Sequence, residues 1–414
     1  MSIDVAIIGG GLSGLACALS LREQGREPLI LEASDEVGGR IRTDYHDGFL
    51  LDRGFQVLQT WYPEARRFLD YDSLDLRAFQ NGALVRINGH ACRVSDVWRQ
   101  PGRLPEMLWS PVGHLSDKIR LLHLRHRCLQ GDLTDLYRRH ERDAITHLAE
   151  LGFSQRIIDR FFKPFFSGVF FEPELHVSSR AFEFVFRAFA LGETALPAKG
   201  MEQIPRQLAA RLPRDTIQLH TRVERIEGDL LYLTSGEVLR ARVIVLATEG
   251  PETARLLGQN ATDVPTRGTT CLYFSANQPP FEGRNLMLNG EGKGCINNVL
   301  CPSVLSEHYA PAGKTLVSVN VHGADHDLDA LEGRVRHELT SWFGDEIQHW
   351  QHLATYSLPH ALPMQAPPVH NPAEARLQQR QNVWSCGEYD SAPSIHWALH
   401  RGRRSAEELV AADR

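Results

Sequence analysis

Gly9, Gly11, Gly14 and Glu32 have the residue types and the spacing needed to grip a dinucleotide. Gly9 and Gly11 allow a tight turn and let bare backbone approach a pyrophosphate, while Gly14 lets a helix pack closely on a strand. Leu12 and Ser13 open that helix, so its free N–H groups and positive dipole end face the same phosphates. Glu32 follows about 20 residues later, where a carboxylate accepts both ribose hydroxyls of an adenosine and repels a 2′-phosphate. The elements that must position these groups are also readable. The apolar run Ile3 to Ile8 predicts a strand, and Leu12, Leu15, Ala16 and Leu19 predict an amphipathic helix ending at Gly25. Pro28 to Ala33 predicts a second strand with the acid at its end. A glycine turn alone is a weak signal; in this context it reads as a binding unit.

A second glycine pair follows, Gly38-Gly39, with Arg40 next to it. Adjacent glycines leave room beside a bulky ligand, and the arginine offers a positive fork to a phosphate. The segment from Glu32 through Gly38-Gly39-Arg40 to Thr43, coming after the first glycine turn, resembles the flavin amine oxidase superfamily, which also holds phytoene desaturases and protoporphyrinogen oxidases. The resemblance implies FAD, held by Gly9, Gly11, Leu12, Ser13, Gly14, Glu32 and Ala33 in the first motif and by Gly38, Gly39 and Arg40 in the second. It continues along the chain. Gly48 to Leu58 is similar to the segment beside the isoalloxazine, which places Gly54, Phe55 and Gln56 nearest the ring. Leu196 to Leu212 resembles a proline-glycine turn and its helix, with Lys199-Gly200 where a glycine pair is usual. His220 to Thr248 resembles a three-stranded insert in which the backbone of Val223 reads the adenine. Trp384 to Val410 resembles the closing flavin motif: Gly387 and Glu388 match its glycine-acid pair and Ile395 its helix start, with Arg401-Gly402 in place of a serine-glycine. Independently of the resemblance, Ser394 before the periodic run from Ile395 to Val410 reads as a helix N-cap. A helix start aimed at the flavin pyrimidine stabilises the negative charge gathered there on reduction.

The expected fold class is α/β, a Rossmann-like FAD-binding domain with a second, α+β substrate domain. Because the flavin motifs occur early, midway and late, the cofactor domain is read as discontinuous, 1–75, 196–265 and 380–414, with 76–195 and 266–379 forming the substrate domain. Residues 116–150 and 154–192 read as mostly helical, 267–321 as strands, 327–343 as a helix, and the proline-rich 359–372 as a connector.

A length of 414 residues fits two domains, and 42% hydrophobic residues with a net charge of −6 exclude a bulk basic surface for nucleic acid. A strand starting at Ile3 leaves no room for a signal peptide, and no apolar run approaches the ~18 residues that span a bilayer. Seven cysteines without a C-x-x-C pair read as free thiols in a reducing, cytoplasmic setting. Cys386 lies beside the closing motif; a small residue ending a strand is favoured over a covalent flavin link. His322 and His326 lack companion ligands, so no metal is expected. Gly290, Gly292 and Gly294 lack the following helix and acid of a nucleotide site and read as a turn. With no second nucleotide motif, the substrate is the expected hydride donor, and oxygen, a quinone or another carrier the acceptor.

On the substrate side, Phe161, Phe162, Phe165, Phe166, Phe170 and Phe171 crowd one segment, with Phe182, Phe184, Phe186 and Phe189 beyond it. They read as core and as the wall of a cavity for a large apolar molecule. Leu104, Met107, Leu108 and Trp109 stand among Arg99, Arg103, Lys118, Arg120, Arg125 and Arg127, the pattern of a peripheral membrane contact or of a solvated basic face. By ungapped alignment Thr270 takes the place of the amine oxidases' flavin-facing lysine, and Ser394 falls near a cage tyrosine. The leading expectation is an FAD-dependent oxidoreductase that dehydrogenates a bulky hydrophobic substrate by hydride transfer to flavin N5, similar to phytoene desaturase or protoporphyrinogen oxidase. A flavin amine oxidase releasing hydrogen peroxide and a non-redox flavin isomerase remain the alternatives. No catalytic acid or base is legible.

Overall fold

A computed structural model describes residues 3–388 and 392–413. Ile3–Ile8 is a central strand whose two faces feed different cores: Val5 and Ile7 pack with Leu15 and Leu19 of the helix Leu12–Glu23, and Ala6 and Ile8 pack with Leu231 and Leu256. Burial on both faces is what a parallel strand between two layers requires. Parallel neighbours are Pro28–Leu31 on one side and Val238–Leu246 on the other, with Ile217–Gln218 beyond the first. Val238–Leu246 serves two partners: its start is antiparallel to Leu230–Leu233, and its end is parallel to Val383–Ser385. This is the Rossmann-like sheet with its antiparallel insert.

The second sheet has seven strands in the order Gln351–Pro363, Thr266–Ala276, Thr315–His322, Ile296–Leu300, Leu286–Asn289, Gly82–Ile87 and His90–Ser95. All pairs are antiparallel except Leu286–Asn289 with Gly82–Ile87. Alternation along its strands sorts the side chains. Leu272 and Phe274 meet Val335 and Leu339 of the helix Leu328–Phe343, whereas Cys271 and Tyr273 join the core around the glycine-turn helix. Further along that second face, Val85 and Leu288 pack under Phe162, Phe166 and Phe182 from the helices of residues 155–191. Gly290 to Gly294 forms the hairpin turn between two of these strands, with Gly292 and Gly294 at positive φ.

The proline-rich stretch 359–372, read as a connector, begins inside a strand. Gln351–Pro363 is a thirteen-residue strand that carries Pro359 and Pro363. It lies at the sheet's edge, where a missing N–H on the outer side removes no ladder bond.

Candidate active site

The first glycine turn is closed on one side and open on the other. A Cβ at Gly9 (φ +107°) would stand 2.8 Å from the carbonyl of Ala247, and one at Gly14 would stand 2.1 Å from that of Gly9. At Gly11 a Cβ would meet no described atom within 4 Å. The open side is the room a pyrophosphate needs, and Leu12 and Ser13 begin the helix directly behind it. Glu32 is buried at the end of Pro28–Leu31, where Oε2 accepts the Gly10 N–H at 2.6 Å. Its Oε1 accepts the Ser34 N–H and hydroxyl at 2.8 and 2.7 Å, and Ala33 is exposed between them. Gly10, which sequence reasoning passed over, is thus the link from the turn to the acid. The chain carrying Val223 is tied to the same place: Thr221 N–H donates to the carbonyl of Glu32 and His220 N–H to that of Ser34.

The second glycine turn abuts the first. Gly38 N–H donates to the carbonyl of Gly10 at 2.9 Å, and a Cβ at Gly39 would lie 3.5 Å from Gly11 Cα. Arg40, read as a fork for phosphate, also reaches protein groups: it pairs with Glu388 Oε2 at 2.5 Å and donates to the carbonyl of Ala361 at 2.6 Å. It therefore ties the closing motif to the edge strand Gln351–Pro363. Gln56 donates to the carbonyls of Arg40 and Arg53, and its Oε1 is buried without a partner among the described residues. An orphaned buried oxygen beside open glycines is a fit for a bound cofactor. Gly54 (φ +90°) has Leu358 of the edge strand 2.7 Å from its Cβ position, and Phe55 meets Phe79 edge to face at 6.4 Å.

Asp52 is the residue that sequence reasoning missed here. Fully buried, it accepts from Thr43 Oγ1 at 2.6 Å, Tyr309 hydroxyl at 2.8 Å and Met201 N–H at 3.0 Å, while Tyr273 donates to its carbonyl. Burial pushes its carboxyl up to about 6 against these hydrogen bonds. It pins the segment that leads into Gly54, Phe55 and Gln56. Its signal was an acid directly after an apolar run, Phe49 to Leu51.

At the closing motif, Gly387 is as constrained as Gly9, since a Cβ would stand 2.3 Å from the carbonyl of Thr248. Ser394 caps the helix Ile395–Ala412, accepting the Trp397 N–H at 3.0 Å. Tyr389, Asp390 and Ser391 lie outside the described residues. Cys386 is fully buried with its thiol against Cys17 of the glycine-turn helix. Gly402 sits at the crossing of the two helices: its Cβ position is 2.2 Å from the carbonyl of Ser13.

Two expectations on the substrate side change. Thr270 does not face the cofactor side; it shares the face of Leu272, toward the helix Leu328–Phe343, and its hydroxyl donates to the carbonyl of Gly323. Strand side chains alternate, so a one-residue slip in alignment moves a residue to the opposite face. The phenylalanines divide by face. Phe162, Phe166 and Phe170 are core at i, i+4, i+8, whereas Phe161, Phe165 and Phe189 remain half-buried, with Phe165 against both of the others. Large exposed apolar side chains also occur on two consecutive helices, Leu104–Trp109 and Leu115–Leu129: Leu104, Leu108, Trp109 (88% exposed), Leu115, Ile119 (62%) and Leu122. No helix among the described residues is long and apolar enough to cross a membrane.

Relatives agree with this arrangement. The chain is 26% identical over 164 residues to protoporphyrinogen oxidase 2 of Arabidopsis thaliana, covering 40% of this chain and 32% of that protein. It is 34% identical over 103 residues to an L-amino-acid oxidase of Sistrurus catenatus edwardsii, covering 24% of this chain and 20% of that one. These matches span a third or less of the relatives' own length. The solved structure of putrescine oxidase bound to putrescine superposes with a TM-score of 0.72 at 16% identity, covering 99% of each chain. The profile of the flavin-containing amine oxidoreductases matches residues 12–410, and the chain belongs to that family, with a Rossmann-like domain and a second, mixed-sheet layer.

Proposed function

We propose that this enzyme dehydrogenates a bulky, mainly apolar substrate and does so while docked on a lipid surface. FAD, when bound, supplies the hydride acceptor, and oxygen or a quinone takes the electrons onward. In this reading Gly9, Gly11 and Gly14 with Leu12 and Ser13 hold the pyrophosphate, Glu32 and Val223 the adenosine, and Gly54, Phe55 and Gln56 the ring. Gly38, Gly39 and the Arg40–Glu388 pair close the cradle. The helix start at Ser394 and Ile395 offers its dipole to negative charge on the pyrimidine. The protein's task is then alignment of the donor carbon and exclusion of water.

The observation that carries the apolar substrate is the half-buried ledge of Phe161, Phe165 and Phe189, aromatic surface left over after the core is filled. Amine oxidation is the second reading, favoured by similarity to an L-amino-acid oxidase; against it, the five lysines stand at 118, 163, 199, 293 and 314, none in the strand Thr266–Ala276. The test is anaerobic mixing of the holoenzyme with a porphyrinogen, a polyene, a monoamine and a polyamine, together with mass spectrometry of any ligand that co-purifies. Flavin bleaching by amines and not by the large apolar compounds refutes the proposal.

Lipid docking rests on the exposed apolar side chains of the helices Leu104–Trp109 and Leu115–Leu129, bordered by Arg103 at the start of the first, Arg120 on the second, and Arg156 and Arg160 at the link between them. The protein should float with phosphatidylserine-containing vesicles, and Trp109→Asp should abolish flotation. Equal recovery of the variant refutes this part.

A further inference from the structure

Three asparagines form a directed chain inside the second sheet. Asn297 Nδ2 donates to the carbonyl of Pro164 at 3.1 Å and to Ser167 Oγ at 2.9 Å. A backbone carbonyl can only accept, so this contact fixes which end of the Asn297 amide is nitrogen. Asn297 Oδ1 then accepts from Asn298 Nδ2 at 2.6 Å, and Asn298 Oδ1 accepts from Asn320 Nδ2 at 2.8 Å. The polarity passes from amide to amide and leaves Asn320 Oδ1 as the terminal acceptor. Asn320 is 4% exposed, and that oxygen has no partner among the described residues. The helix Lys163–Phe170 comes close enough to hold the chain because position 168 is glycine: a Cβ there would stand 2.6 Å from Asn297 Oδ1.

The chain ends at a particular place. Across the sheet, Asn320 is paired with Cys271 on one side and Asn298 on the other, and Cys271 is paired with Tyr356. Cys271 belongs to the core of the glycine-turn helix, and Leu288, the neighbour of Asn298, to the core of the phenylalanine helices. Asn320 therefore lies on the seam between the cofactor side and the aromatic wall. His322, two residues along on the same face, also has a side chain with no partner among the described residues. A buried acceptor held in a fixed direction and left unsatisfied is costly to keep for packing alone.

We infer that Asn320 is a specificity-determining residue, its side-chain carbonyl accepting a hydrogen bond from an N–H or O–H group of the substrate. The inference rests on reading the seam as the substrate site. It narrows the substrate to an apolar body that carries a donor, such as a pyrrole or amine N–H or a hydroxyl, and disfavours a pure hydrocarbon. Asn297 is a positioning residue that acts through Asn298.

The test compares FAD-loaded wild type, Asn320→Leu and Asn297→Ala. The probes are protoporphyrin IX, which carries pyrrole N–H groups, lycopene, which has no donor, and benzylamine, each followed by the change in flavin absorption. Protoporphyrin IX should bind wild type and bind Asn320→Leu at least about tenfold more weakly, with a smaller loss for Asn297→Ala, while lycopene affinity is the same in all three. Without a probe, Asn320→Leu exchanges one orphaned buried acceptor, its own Oδ1, for another, Asn298 Oδ1, so it should melt near wild type. An unchanged porphyrin affinity, or an equal loss for lycopene, overturns the inference. A melting temperature for Asn320→Leu far below wild type, more than the loss of the one bond to Asn298 explains, also overturns it, by showing a structural role such as holding a buried water. If benzylamine alone binds wild type and Asn320→Leu loses it, the inference stands and the bulky-substrate reading falls. If no donor-bearing probe binds wild type, both fall.

Discussion

Gly402→Ala should loosen both the fold and the grip on FAD. In an ordinary helix interior this change is favourable by ~1 kcal/mol, because alanine loses less backbone freedom on folding. At Gly402 the new methyl would stand 2.2 Å from the carbonyl of Ser13 and 2.9 Å from Ala16 Cβ and Cys17 N. Reaching ordinary contact requires the helices Leu12–Glu23 and Ile395–Ala412 to part by roughly 1 Å, and overpacking of this kind costs ~1–3 kcal/mol. The net loss is then about 0–2 kcal/mol, or a Tm lower by up to roughly 2 °C in a protein of this size. Ser13 lies in the first turn of the helix behind the phosphate cradle, so the same displacement moves the N–H groups that face the pyrophosphate. Flavin released into a filtrate on dilution should rise in parallel. Gly333→Ala is the internal control. Gly333 lies in the helix Leu328–Phe343 with nothing within 4 Å of its Cβ position, so it should show the propensity gain alone. If Gly402→Ala melts as high as Gly333→Ala and retains FAD, the close approach of the two helices is not a constraint and the reasoning fails.

Other expectations follow from the site and its surroundings. Glu32→Arg should abolish FAD binding, whereas Glu32→Asp should weaken it in part, the loss of charge-assisted hydrogen bonds costing about 1.5–3 kcal/mol; flavin content after gel filtration decides. NADH and NADPH should reduce the flavin slowly or not at all in an anaerobic mixing experiment, and fast bleaching by either contradicts the single nucleotide motif. Phe165→Asp should impair turnover far more than FAD content; if both collapse together, Phe165 is structural. His396 is 3% exposed, and burial lowers its pKa to about 3, so the folded state keeps it neutral while the unfolded chain takes up a proton below about 6.5. The unfolded state then binds more protons between these values, and stability falls as pH drops through that window, by ~2 kcal/mol at pH 5 from this group. His400 acts in the same direction and Asp52, whose pKa is raised to about 6, in the opposite one, so the measurement is the difference between wild type and His396→Gln in denaturant midpoints at pH 8 and pH 5. An identical pH response in the two proteins removes His396 from the account.

Parts of this molecule were legible in the chain because the constraint is local. A turn that needs positive φ at Gly9, a helix start at Leu12, an acid at the end of a strand and a cap at Ser394 are each set by residues a few positions apart. Their chemistry is written where they stand. Other features depend on which distant strand or helix lies alongside, and pattern does not record that. Arg40 looks like a phosphate fork from its neighbours; its pairing with a glutamate 348 residues away is not written there. Pro359 and Pro363 look like a connector until the strand is found at a sheet edge, where their missing N–H groups harm nothing. Asp52 shows only as an acid after an apolar run, and its role comes from Tyr309, Thr43 and Met201 converging on it. Thr270 shows the reason most plainly. Strand side chains alternate with a period of two, so the face a residue presents is set by register against strands elsewhere in the chain, and a slip of one residue reverses it. Local sequence determines what a backbone segment can be; tertiary packing decides what its side chains meet.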